Sequence, residues 1–119
     1  AHACADALLG AAGLGDMGAF FPSGDARWKD ADSSVFLREV GERLATIGAV
    51  VGSADVTVVI ERPRIAPHLG AMREAMAAAL GINAGLLSVK AKSSDGIGPV
   101  GEGHAVVALA VALVEVPAR

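Results

Sequence analysis

The run His104-Ala105-Val106-Val107-Ala108-Leu109-Ala110-Val111-Ala112-Leu113-Val114-Glu115-Val116 decides the fold of this chain. Its valine content favours an extended strand. A helix over 105–115 stays open, because an apolar run does not display its own period. Read with a period of two, one face carries Val106, Ala108, Ala110, Ala112, Val114 and Val116, and the other Ala105, Val107, Leu109, Val111 and Leu113. Both faces are apolar, whereas a strand of a lone antiparallel sheet leaves one face wet. Helices cover one side. A second copy of the chain is the economical cover for the other, which predicts an oligomer with the sheet at the subunit interface.

Upstream, Asp55-Val56-Thr57-Val58-Val59-Ile60 is a short β-branched run, and Leu86 to Lys92 a second one; both read as strands. Three helices alternate with them. Residues 2–13 are rich in Ala and Leu and run into Gly13 and Gly15. Asp32-Ser33-Ser34 offers an N-cap for a stripe of Phe36, Val40, Leu44 and Ile47 that Gly48 closes. Leu69, Met72, Met76 and Leu80 form the third stripe, stopped by Gly81. Residues 16–31 and 93–103 read as glycine-bearing loops. The order helix, helix, strand, helix, strand, strand specifies an α+β fold, a two-layer α/β sandwich.

The 119 residues fit one domain, 1–119. Hydrophobic residues make up 53% of the chain but aromatic ones only 3%, so the core is built from small side chains. That content excludes intrinsic disorder. A formal charge of −3 with few stacking aromatics argues against a nucleic-acid partner. The longest apolar run falls short of the roughly 20 residues a membrane span needs. The single Cys4 permits no internal disulfide and points to a reducing, cytoplasmic setting. The chain opens helix-like and without Met, which reads as a piece of a longer or processed protein.

Four segments could carry chemistry. His2 and Asp6, four apart on one helix face, suit a metal ligand and a group that orients its neighbours. Gly15-Asp16-Met17-Gly18 and Phe21-Pro22-Ser23-Gly24-Asp25 place carboxylates beside glycines, where backbone approaches a ligand closely and acids accept hydroxyl protons. Glu61-Arg62-Pro63-Arg64-Ile65-Ala66-Pro67-His68 joins two guanidinium groups to a helix start, an anion or nucleotide site. Lys90-Ala91-Lys92-Ser93-Ser94-Asp95-Gly96 offers lysines, hydroxyls and amides to phosphate oxygens and a carboxylate to a divalent cation. Each also reads as an ordinary helix end, surface turn or glycine-rich hairpin. His104 and Cys4 read as structural. Together the segments suggest a polyhydroxylated, phosphorylated ligand with a metal.

His2-Ala3 with Asp6-Ala7-Leu8-Leu9-Gly10-Ala11-Ala12, then Leu14-Gly15-Asp16-Met17-Gly18 and Phe21-Pro22, resembles the 2-C-methyl-D-erythritol 2,4-cyclodiphosphate synthase family. Asp30-Ala31-Asp32-Ser33, Asp55-Val56-Thr57, Pro63-Arg64, Pro67-His68, Val89-Lys90-Ala91 and Gly101-Glu102-Gly103 continue the likeness in order over nearly the whole chain. The resemblance implies a homotrimer with its sheets packed around a three-fold axis and active sites between subunits. It implies a lyase of isoprenoid precursor biosynthesis. The 2-phosphate of a cytidine-diphosphate-linked methylerythritol attacks the β-phosphorus, closing a cyclic diphosphate and expelling CMP.

By the same resemblance, His2 is one of three ligands to zinc or another divalent transition metal. Asp16, Met17 and Gly18 with Phe21, Pro22, Ser23, Gly24 and Asp25 hold the methylerythritol part. Ile60, Glu61, Arg62, Pro63, Arg64, Ile65 and Ala66 line the cytidine pocket. Lys92, Ser93, Ser94 and Asp95 meet the phosphates, Ser93 assisting the transition state and Asp95 serving a second ion, Mg²⁺ or Mn²⁺. The family's Asp-x-His metal pair belongs to an N-terminal strand without a counterpart in this sequence. Ser23 replaces an aspartate, Lys92-Ser93-Ser94 replaces three threonines, and 98–103 is two residues short. The second reading is therefore a non-catalytic trimeric paralogue that binds a cytidine nucleotide or serves as a scaffold.

Overall fold

The structure is a computed structural model that describes residues 1–22, 24 and 32–118. Ser23 and Asp25, expected at the substrate, lie outside the described residues, as do Asp30 and Ala31.

Helix α1 (His2–Ala11) buries Cys4, Ala5, Leu8 and Leu9, the two adjacent rows of a single helix face. A single turn, α2 (Met17–Phe20), follows. Helix α3 (Ser33–Thr46) starts where the Asp32 carboxylate accepts the Ser34 N–H at 2.9 Å, and it buries Leu37, Val40 and Leu44. Strand β1 (Val50–Val59) leads through a 3₁₀ turn (Ala66–His68) into α4 (Leu69–Leu80). Gly81 ends α4 with φ +73°, a left-handed C-cap that other residues adopt only with strain. Strand β2 (Leu87–Lys92), the turn α5 (Gly98–Gly101) and strand β3 (Val107–Glu115) complete the chain.

The sheet order is β2-β1-β3. β1 runs parallel to β2, from Ala54 opposite Leu87 to Val59 opposite Lys92, with α4 in the crossover that a parallel pair requires. It runs antiparallel to β3, from Val50 opposite Glu115 to Val59 opposite Val107, with one bulge between Val51 and Ser53. Helix α1 packs across β3, α4 lies on β2, and α3 lies against both helices. Beneath them sit Ala54 and Val56 of β1 and Leu87 of β2, all buried, and Ala110, Ala112 and Val114 of β3, half-buried. At Gly41, α3 comes so near α4 that an added Cβ would lie 2.5 Å from the Leu80 carbonyl oxygen.

No helix among the described residues covers the opposite face. Val107, Leu109, Val111 and Leu113 lie there with 41% to 74% of their surface exposed. The alternation read from the last strand therefore holds: the alanine-rich face enters the helical layer, and the leucine–valine face is bare. The α+β architecture with a small mixed sheet agrees with the expected class.

Several local expectations are corrected. The stretch 16–31 is not wholly irregular, since Asp16 caps α2 within it. Within 93–103, Pro99 sits in the first turn of α5, where its missing N–H costs nothing. The first strand starts at Val50 rather than Asp55, because the bulge at Gly52 interrupts the pattern. The last strand starts at Val107 rather than His104, whose N–H instead donates to the Pro99 carbonyl. His104 is exposed, 3.8 Å from Glu102, and belongs to no core. No helix is long and apolar enough to cross a membrane among the described residues.

Candidate functional site

The parallel strands β1 and β2 end together. Beyond the Val59–Lys92 pair, the Ile60 N–H donates to the Lys92 carbonyl at 2.9 Å, and the two chains then diverge. One leaves through the cis Arg62–Pro63 bond toward α4; the other turns at Ser93–Asp95. Between them opens a cleft of about 350 Å³ lined by Ile60, Glu61, Arg64, Ile65, Ala66, Ala91, Lys92 and Ser93. Crevices at the carboxyl ends of parallel strands are where open α/β sheets bind ligands.

The cleft is polar on one wall. Ser93 Oγ donates to Glu61 Oε2 at 2.9 Å and accepts the Asp95 N–H at 2.9 Å. Ser94 Oγ donates to the Ile97 carbonyl at 2.9 Å. Asp95 takes φ +55°, a left-handed conformation that Asp tolerates better than most residues. Among the described residues no hydrogen bond or ion pair engages the side chain of Arg64 or Lys92, so two cations face this space against one carboxylate. Lys90 is different: its Nζ lies 2.9 Å from Asp55 Oδ2, and that ion pair is exposed. Residues 60–61 and 64–66 and residues 92–93, far apart in sequence, thus meet in one cleft. Ala91 was not among the expected residues. It stands between Lys90 and Lys92 on a strand whose alternate side chains face opposite ways, and that alternation was the available signal.

A second group of expected residues gathers around α1 and α2. Asp6 Oδ1 accepts the Met17 N–H at 3.1 Å, and Asp16 Oδ1 accepts the Ala19 N–H at 3.0 Å, capping α2. Gly15 has φ +97°, which reserves that position for glycine. The His2 ring meets Phe36 edge-on at 5.2 Å, and Phe36 meets buried Phe21 edge-on at 4.9 Å. Asp6 was expected to orient metal-site groups; its carboxylate instead braces the amide of Met17. His2, Asp16, Met17, Gly18, Phe21 and Pro22 line no part of the cleft at Lys92. Within one chain the two groups of residues are therefore separate.

Among the described residues no three His, Cys, Asp or Glu side chains converge as metal donors. His2 brings one imidazole, and catalytic zinc needs three protein ligands. The described residues do not fit a complete zinc site. The exposed Asp95 carboxylate suits an ion of another kind, since magnesium binds through one or two carboxylates together with substrate phosphates. Burial pushes the Cys4 thiol above its usual value, so it is a packing residue and not a nucleophile.

The profile of the YgbB family matches residues 1–115. The 2-C-methyl-D-erythritol 2,4-cyclodiphosphate synthase of Moorella thermoacetica is 52% identical over 112 residues, covering 94% of this chain and 69% of that protein. The synthase of the same description from Verminephrobacter eiseniae is 50% identical over 113 residues, covering 95% of this chain and 62% of its own length. A solved 2C-methyl-D-erythritol-2,4-cyclodiphosphate synthase in its CDP-bound form superposes with a TM-score of 0.83 at 35% identity, over 96% of this chain and 73% of that one. The chain belongs to the YgbB family, the family of the 2-C-methyl-D-erythritol 2,4-cyclodiphosphate synthases.

Proposed function

We propose that the protein converts 4-diphosphocytidyl-2-C-methyl-D-erythritol 2-phosphate to 2-C-methyl-D-erythritol 2,4-cyclodiphosphate with release of CMP. An oxygen of the 2-phosphate attacks the β-phosphorus and forms the new P–O bond. The bond from that phosphorus to the bridging oxygen breaks, and CMP leaves with the electron pair. One observation carries the reading: at the parallel strand ends the cleft brings Arg64, Lys92 and Ser93 together, in a chain half identical to named synthases.

Such a reaction asks the protein mainly to position two phosphates and to balance their charge. Ile60 to Ala66 form the wall for the cytidine part, and Lys92, Ser93 and Ser94 take the phosphates. Asp16, Met17 and Gly18 with Phe21, Pro22, Ser23, Gly24 and Asp25 hold the methylerythritol part. Because that second set lines no part of the cleft, the working site unites the cleft of one copy with the α2 region of the next. The bare face of β3 supplies the contact, and a homotrimer closes around it. Asp95 holds Mg²⁺ or Mn²⁺, which when bound neutralises phosphate oxygens. His2 is one ligand of a zinc-type ion. The assembly works in the cytoplasm, and residues 1–119 act within it as one domain.

Phosphorus NMR of the purified protein with the cytidylyl substrate, Mg²⁺ and Zn²⁺ tests this reading. Cyclic diphosphate and CMP in equal amounts support it. Nucleotide binding without turnover would instead support the non-catalytic cytidine-binding paralogue, which the lack of three convergent metal donors among the described residues favours.

A further inference from the structure

The hydroxyl of Ser93 has one proton and two lone pairs to distribute. The Asp95 N–H can only donate, so it takes one lone pair at 2.9 Å. An ionised Glu61 can only accept, so at 2.9 Å it takes the proton. What Ser93 then offers the cleft is a single lone pair. A phosphate oxygen is also an acceptor, and two acceptors facing each other make no bond.

From this we infer that Glu61 is a positioning residue: it sets the direction of the Ser93 hydroxyl, and acts on a phosphate ligand through Ser93 rather than by touching it. The inference rests on the reading of the cleft as a nucleoside-diphosphate site. Loading the cleft turns the hydroxyl about its Cβ–Oγ bond from Glu61 to the phosphate. The oxygen itself need not move, because the Asp95 N–H still holds it. Glu61 is then released within reach of the same cleft as Arg64 and Lys92, whose cations are without a partner among the described residues. Every diphosphate that binds therefore gives up one serine–carboxylate bond to gain one serine–phosphate bond.

A titration of CDP in the presence of Mg²⁺, followed by calorimetry, tests the coupling with Glu61→Gln, Ser93→Ala and the double variant. Glu61→Gln keeps a hydrogen-bonding partner for Ser93 but one whose amide can donate, which frees the serine proton for the phosphate. It is expected to tighten CDP binding about three- to tenfold, the range of one ordinary hydrogen bond. Ser93→Ala removes the serine–phosphate bond and is the background against which Glu61→Gln is read again. In the double variant the gain disappears. A gain of equal size in the Ser93→Ala background would show only the removal of a negative charge, and unchanged affinity in Glu61→Gln would show no coupling; either result overturns the inference and leaves the nucleotide reading standing. Glu61→Ala, which also frees the hydroxyl, must tighten binding as Glu61→Gln does. If the folded wild-type protein binds no CDP at all, the nucleotide reading fails first and the inference with it.

Discussion

The Asp6 carboxylate, on the exposed side of α1, accepts the Met17 N–H at 3.1 Å and so ties the first turn of α2 to a helix that ends six residues earlier. This tie crosses the Gly13–Gly15 link, whose glycines both take positive φ and give the chain little stiffness of its own. Asp6→Ala is expected to lower unfolding free energy by about 0.5–1.5 kcal/mol in denaturant titrations. Asp6→Asn, which retains an acceptor oxygen, recovers most of that loss. If Met17 and Gly18 hold the substrate as proposed, turnover falls more steeply than stability in Asp6→Ala.

The contact of α3 with α4 has no room for a methyl group at Gly41, 2.5 Å from the Leu80 carbonyl oxygen. Gly41→Ala forces the backbones apart against a rigid neighbour. The expected cost is about 1–3 kcal/mol by thermal or chemical unfolding, against the small gain alanine normally brings to a helix. A neutral or stabilising result would mean the helices separate freely.

The N-cap of α3 makes acid sensitivity predictable. The Ser34 amide holds the Asp32 carboxyl below its usual value of 3.8. Because the folded state favours the charged form, this stabilisation is present above the ordinary carboxylate range and is lost as pH falls through the depressed folded value. Asp32→Asn caps the helix without a titrating charge. The melting temperature of the wild type should exceed that of Asp32→Asn at pH 7, and the gap should close below pH 4. A gap that stays constant with pH would exclude the carboxylate as its source.

On the bare face, Leu109 of the edge strand β3 stands opposite Thr57 of the central strand β1 and is 60% exposed. If copies of the chain meet there, Leu109→Asp places charges at the contact without disturbing the helical layer. Sedimentation velocity should then show a trimer for the wild type and a single chain for the variant. Turnover is lost along with assembly, while circular dichroism stays unchanged. An unaltered sedimentation coefficient would remove β3 from the interface.

Periodicity made the scaffold legible. The alternation from Val106 to Val116 separated a face that the helices cover from one they leave bare, and Asp32 announced the start of α3 by its chemistry alone. Hydrogen bonds between distant residues were not legible in that way. Nothing in local pattern tells that Asp6 serves Met17, or that Ser93 and Glu61, thirty-two positions apart, share a proton. Gly52 hid the beginning of β1, because a bulge inserts a residue out of phase and breaks the very period by which a strand is found. The segments 60–66 and 92–95 were found by residue type and family likeness. The meeting of residues 60–61 and 64–66 with Lys92 and Ser93 in one cleft needed the register of a parallel pair.

The rung from Ile60 to Lys92 that frames the mouth of the cleft is made by main-chain atoms alone. Every amino acid but proline could donate at position 60, and any could accept at position 92. Side chains around the opening are thus released from the duty of keeping it open. A lineage carrying this scaffold can exchange them one at a time, altering what the cleft admits, while the aperture keeps its width.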